Sequence, residues 1–141
     1  MCVEVKMKRV GNMAFHTKTP SGHDVYADAG PEVGGNDSAA RPKELMLISL
    51  LGCTSMDVVS ILNKMKVKDY DYEITANGEL ANEHPKVFTS IKVTYVFKGK
   101  DLPKEKIEKA VRLSQERYCF ASAMLKKVCD FSYEIIYEEA Q

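Results

Sequence analysis

Two cysteines, Cys53 and Cys119, are the side chains of this sequence best suited to chemistry, and Cys53 has the more telling surroundings. It falls in the segment Pro42–Lys66, PKELMLISLLGCTSMDVVSILNKMK. There Ser49, Cys53, Asp57, Ser60 and Lys64 recur at spacings of three and four and so share one face of a helix. A helix this apolar belongs inside a fold or an interface, where a whole stripe of thiol, carboxylate and hydroxyl groups is rare. A lone buried cysteine usually packs as a small hydrophobe. A second cysteine changes that reading, because reducing compartments disfavour permanent disulfides and paired thiols there point to redox work. Metal ligation is the competing use. No C-x-x-C occurs, and His16, His23 and His84 stand in no ligand spacing, so the sequence predicts no metal site. Cys2 and Cys129 read as bystanders.

The 141 residues are enough for one domain, 1–141, with a core that needs no disulfide staples. Lys plus Arg and Asp plus Glu both count 20, so no charge excess favours nucleic acid or an anionic membrane as a partner. The longest apolar run, Leu45–Cys53, is about nine residues and contains Ser49, well short of a membrane span. The first ten residues, MCVEVKMKRV, alternate like a strand and lack the apolar centre of a signal peptide. A cytoplasmic protein is the expectation.

The elements that must position the thiols follow from periodicity. Val3, Val5 and Met7 alternate with Glu4, Lys6 and Lys8, which predicts a half-buried first strand. A turn at Gly11-Asn12, a strand over Met13–Lys18, a turn at Thr19-Pro-Ser-Gly22 and a strand over His23–Asp28 come next. Ala29–Ala40, rich in glycine, reads as a loop without structure of its own, hence mobile or functional. Pro42 suits the first position of the long helix, and Glu44 suits its first turn. Strands over Tyr70–Leu80 and Val87–Lys98 follow; in the second, Ile91, Val93, Tyr95 and Phe97 face one way. Pro103 opens a helix with Ile107, Ala110, Val111 and Ser114 inward. Beyond Cys119, Ala121, Met124, Leu125 and Val128 continue a helical pattern, and Phe131–Glu138 closes as a strand. The order β-β-β-α-β-β-α-α-β argues for an α+β fold rather than a parallel βαβ design. A central helix so hydrophobic on all sides needs cover from both sides, which an intertwined homodimer would supply.

Pro42-x-Glu44, the apolar run into Cys53 and Tyr118-Cys119-x-x-Ser122 together resemble the OsmC/organic hydroperoxide resistance family, over essentially the whole chain. The resemblance implies a thiol-dependent peroxidase acting on organic (alkyl or lipid) hydroperoxides, with no cofactor. It makes Cys53 the peroxidatic residue and Cys119 the resolving one. Their disulfide would be reopened by a dithiol reductant of the lipoyl type, such as dihydrolipoamide. A disulfide needs Cα atoms within about 7 Å, so the segment after Arg117 must dock on the middle of the central helix. Leu50, Leu51 and Met56 are the expected apolar lining.

Three positions depart from the family pattern. Its peroxidases carry a glutamate directly after the helix-opening proline, where Lys43 stands, and the acid is at Glu44 instead. Their early turn arginine is missing from Val10-Gly11-Asn12-Met13, with Arg9 nearest, and their proline after the second cysteine is Phe120. Mid-helix burial and an ionised Asp57 one turn on both raise a thiol pKa, so a cation from Arg9, Arg41 or Arg117 is expected to compensate. Glu44 precedes Cys53 by nine residues, about 13.5 Å along the axis and on the opposite azimuth, so a role for it in the site requires the partner subunit. Its competing role is at the helix start, and Asp57 is as well suited to holding a buried hydroxyl. The alternative reading is a non-catalytic, redox-sensing or apolar-ligand-binding member of the family.

Overall fold

The computed structural model describes residues 1–140, which fall into two compact units, Met1–Leu47 and the residues from Ile48 onward. The first unit holds a three-stranded antiparallel meander: β1 (Lys8–Arg9), β2 (Phe15–Lys18) and β3 (Asp24–Ala27) in that order. Gly22, at φ +90°, turns the chain between β2 and β3, a conformation that suits a residue without Cβ. His16 on β2 hydrogen-bonds Asp24 at 2.9 Å and stacks against Tyr26. The first strand is shorter than its alternation predicts. The register would set Met7 opposite Thr17, but the Thr17 hydroxyl donates to the Lys6 carbonyl instead, and Val3, Val5 and Met7 are exposed.

The expected unstructured loop 29–40 is instead organised by one carboxylate. Asp28, 3 % exposed, accepts from the backbone N–H groups of Ala29, Asn36 and Ser38 and from the Ser38 hydroxyl at 2.6 Å. Between these contacts Pro31–Val33 makes a single 3-10 turn, ended by Gly34 at φ +91°. Gly35 passes so close to the Ala29 carbonyl that a Cβ there would sit 2.0 Å from its oxygen. Ala40 then bridges back to Ala27, and the long helix begins.

That helix, α1 (Pro42–Lys64), runs on into the second unit. Its buried residues are Leu50, Thr54, Val58 and Leu62, one narrow stripe at four-residue spacing. The long buried helix expected from hydropathy is therefore covered on one side only within the chain: Ile48 and Met56 are 57 % and 74 % exposed. By length and composition α1 is also apolar enough to cross a membrane, contrary to the reading from uninterrupted runs, because Ser, Thr and Gly lower the mean hydropathy little.

The second unit's sheet has the order β4 (Asp71–Leu80), β5 (Phe88–Gly99), β6 (Asp130–Glu139). In the central β5, Ile91, Val93, Tyr95 and Phe97 are all buried, as their alternation predicts. β4 pairs antiparallel with β5, but β6 pairs parallel to it. The α+β class holds, yet this half contains the parallel crossover that strand clustering argued against. A parallel pair cannot be closed by a hairpin, so residues 100–129 form the crossover. Its α2 (Lys104–Leu113) buries Ile107, Ala110 and Val111 and is followed by buried Ser114. A π turn (Ser114–Tyr118) and the short α3 (Phe120–Leu125) complete it. α3 departs from the expected amphipathic pattern: Ala121 and Ser122 are buried, whereas Met124 and the following Val128 are exposed.

Four donors hold the Asp28 carboxyl down to about 2, below its ordinary value of 3.8. A depressed carboxyl stabilises the fold above its unfolded pKa and ceases to as pH falls through the folded one. The loop 29–40 should accordingly loosen between about pH 4 and pH 2. Asp28→Asn should give the same loosening at neutral pH. Amide exchange at Asn36 and Ser38 will report both, with unchanged exchange in either condition counting against this role.

Candidate active site

The helical stripe predicted around Cys53 lies beside the buried one. At about 100° per residue, Cys53 sits one position before Thr54 and Asp57 one before Val58, at the edge of the packed face. Cys53 and Asp57 are half-buried and Cys119 is 2 % exposed; all four cysteines are free thiols. The Cys53 and Cys119 sulfurs and an Asp57 carboxylate oxygen all lie within 4.8 Å of one another.

Cys119 is delivered by a break in helical geometry. Its N–H bonds the Ser114 carbonyl at 2.8 Å, five residues back, closing the π turn, and its backbone is extended at φ −77°, ψ 102°. Cys119 then caps α3, its sulfur accepting from the Ser122 N–H at 3.4 Å. Single π turns are frequent at functional sites. Here the extra residue swings a side chain out of the α2 line and toward α1.

A row of buried hydroxyls ties the two cysteine-bearing segments together. Gln115 Nε2 donates to Tyr95 OH at 2.6 Å, and Tyr95 OH contacts Thr54 Oγ1 at 2.5 Å. Thr54 Oγ1 is 2.8 Å from Ser114 Oγ, which donates to Asp57 Oδ2 at 3.0 Å. An amide NH2 only donates and a carboxylate only accepts, so each hydroxyl gives its one proton onward, from Gln115 to Asp57. Asp57 thus holds a buried hydroxyl, the structural role its sequence position suggested. The network itself was not foreseen; the signal was Thr54 next to Cys53 and Ser114 on an otherwise apolar face.

Electrostatics at Cys53 run against easy ionisation. Burial pushes its thiol up most, the Ala121 N–H opposes this, and Cys119 and Asp57 push it up further. The cations proposed from sequence have other partners. Arg9 donates to the Gly11 and Asn12 carbonyls, Arg41 pairs with Asp37 at 2.8 Å, and the Arg117 guanidinium lies over the Tyr118 ring. Glu44 accepts from the Arg41 N–H at 2.8 Å, its helix-start role. The expected lining divides: Leu50 points into the core, whereas Met56 lines a separate surface groove with Ser55, Val59, Ser60, Asn63 and Tyr72.

Comparison with known proteins gives the family of the chain. The family model described as "OsmC-like protein" matches residues 34–134. Protein YhfA of Escherichia coli K12 is 33% identical over 136 residues, covering 95% of this chain and 98% of YhfA. A crystal structure of a hypothetical protein from Aquifex aeolicus is 31% identical, with a TM-score of 0.81 over 99% of both chains. The organic hydroperoxide resistance protein OhrB of Bacillus subtilis shares the fold at 22% identity, with a TM-score of 0.61 over 96% of this chain and 98% of OhrB. On the strength of the matched span and the near full-length relatives, this chain belongs to the OsmC-like family.

Proposed function

We propose that the protein is a cytoplasmic thiol-dependent peroxidase that reduces organic hydroperoxides. The observation that carries this reading is the approach of the Cys53 and Cys119 sulfurs to within 4.8 Å, from segments 66 positions apart. The Cys53 thiolate attacks one peroxide oxygen, the O–O bond breaks, and the alkoxide leaves as alcohol with the proton that Cys53 released. The Cys119 thiolate then attacks the sulfenic sulfur, an S–S bond forms, the S–O bond breaks, and the hydroxide leaves as water with the proton that Cys119 released. A dithiol of the lipoyl type returns both thiols by exchange. Forming the bond requires the sulfurs to close to about 2.05 Å. With cumene hydroperoxide, the reduced wild type should lose two thiols per chain. Cys53→Ser should lose none on the same timescale. No loss in the wild type, or equal loss in both, overturns the peroxidase.

A second reading, a redox sensor of slow turnover, is favoured by the upward push on the Cys53 thiol and by Lys43 and the turn without arginine. On this reading the alkylation midpoint of Cys53 lies above the free-thiol value of about 8.5 and falls in Asp57→Asn. A midpoint well below that value, or steady hydroperoxide consumption with dihydrolipoamide, excludes it.

The assembly we propose is a homodimer, because exposed Met46, Ile48 and Met56 leave α1 with apolar surface that single chains seldom present to water. In it the Glu44 of one chain approaches the Cys53 of the other. Sedimentation at micromolar concentration should give about twice the chain mass. Mixed Glu44→Gln and Cys53→Ser subunits should recover one site of normal thiol reactivity. A fully active monomer defeats the proposal.

A further inference from the structure

Peroxide reduction needs two sulfurs; the third group in the cluster, Asp57, opposes it by disfavouring a thiolate beside it. Two thiols and a carboxylate converging on one point are, by contrast, a ligand set for a divalent cation of borderline softness. The donors lie within 4.8 Å of one another. The centre of a triangle of that side is about 2.8 Å from each corner, against about 2.3 Å for a Zn–S bond and 2.0–2.2 Å for Zn–O. Each donor therefore has to close by about 0.5–0.8 Å, which side-chain rotation supplies.

The surroundings are those of a supported site. Ser114 Oγ donates to Asp57 Oδ2 at 3.0 Å and orients the carboxylate. The Ser122 N–H donates to Cys119 Sγ at 3.4 Å and fixes that thiol at the start of α3. Hydrogen bonds of this kind to the side chains that bind a metal fix their geometry and tune their basicity. A cavity of about 140 Å³, lined by Asp57, Ser60, Ile61, Lys64 and Tyr118, adjoins the carboxylate and has room for a water.

We propose that Cys53, Cys119 and Asp57 of the reduced protein bind one Zn2+ per chain, through two thiolates, one carboxylate oxygen and a water. Two Zn–S bonds form, two thiol protons pass to solvent, and no electron moves. The metal supplies the positive charge that the arginines do not, and it competes with disulfide formation for the same sulfur lone pairs. The site stands independently of any peroxide turnover.

The test uses reduced full-length protein and Zn2+ alone, competed against a chromophoric chelator, with Co2+ as a spectroscopic substitute. One Zn2+ per chain is expected, and Co2+ should show sulfur charge-transfer and tetrahedral d–d bands. Asp57→Asn should weaken binding by more than about tenfold, the least that losing a group that only hydrogen-bonds a ligand typically costs. A Cys2→Ser/Cys129→Ser double variant should bind as the wild type does. Wild type oxidised with diamide is a control that needs no substitution in the site, and its bound Zn2+ should fall with the thiols. No binding, binding that follows Cys2 or Cys129, indifference to Asp57→Asn, or retention after loss of both site thiols overturns the site. Zinc binding without hydroperoxide consumption would sink the peroxidase alone, and consumption without zinc binding would sink this site alone.

Discussion

The contact between Thr54 and Ser114 is the one on which the rest of the site depends. Thr54 follows Cys53 on α1, and the Ser114 carbonyl holds the Cys119 N–H, so one 2.8 Å hydroxyl pair sets how far apart the two sulfurs stand. Both hydroxyls are fully buried, where an unpaired polar group costs more than a hydrogen bond normally contributes. The row from Gln115 through Tyr95 to Asp57 leaves each hydroxyl one donor role and at least one acceptor role. Such a chain is directional. It is satisfied in one arrangement of α1, β5 and the π turn, and a shift of any of the three strands a buried hydroxyl.

The same arrangement explains why the pocket chemistry differs from what an activated thiolate needs. Ending the hydroxyl row requires an acceptor, and Asp57 is that acceptor. Placing it there puts a negative group beside Cys53, within reach of both sulfurs. Structural order and thiol activation thus conflict at one carboxylate. A bound cation, or a cationic group brought from another chain, resolves the conflict without disturbing the row.

Much of this was legible from sequence because periodicity marks packed faces. The alternation of Ile91 to Phe97 located the sheet's centre, and Ile107, Ala110, Val111 and Ser114 marked the buried side of α2. Cys53 and Cys119 were identifiable by type and resemblance. Other features escaped because no local pattern encodes them. The π turn is one residue of extra backbone, invisible in a run that reads as continuous helix. The first strand is only Lys8–Arg9 long, and beyond it a side chain, the Thr17 hydroxyl, reaches the Lys6 carbonyl, a contact that alternation does not encode. The loop after β3 looked shapeless because its order comes from one buried carboxylate reaching residues eight and ten positions on. The convergence of Asp57 with both thiols needed the fold itself.

The parallel register of β5 and β6 has a consequence for how the thiols first meet. Every rung joins residues forty positions apart, from Ser90 with Asp130 to Gly99 with Glu139, whereas β4 and β5 close through a short local turn. Chain entropy makes such distant pairings slow relative to hairpins. The antiparallel pair is therefore the natural template, and the crossover carrying Cys119 is anchored at its far end only when the last strand joins. Because Cys119 lies on that crossover, the juxtaposition of the two sulfurs depends on the β5–β6 pairing as well as on the contacts with α1.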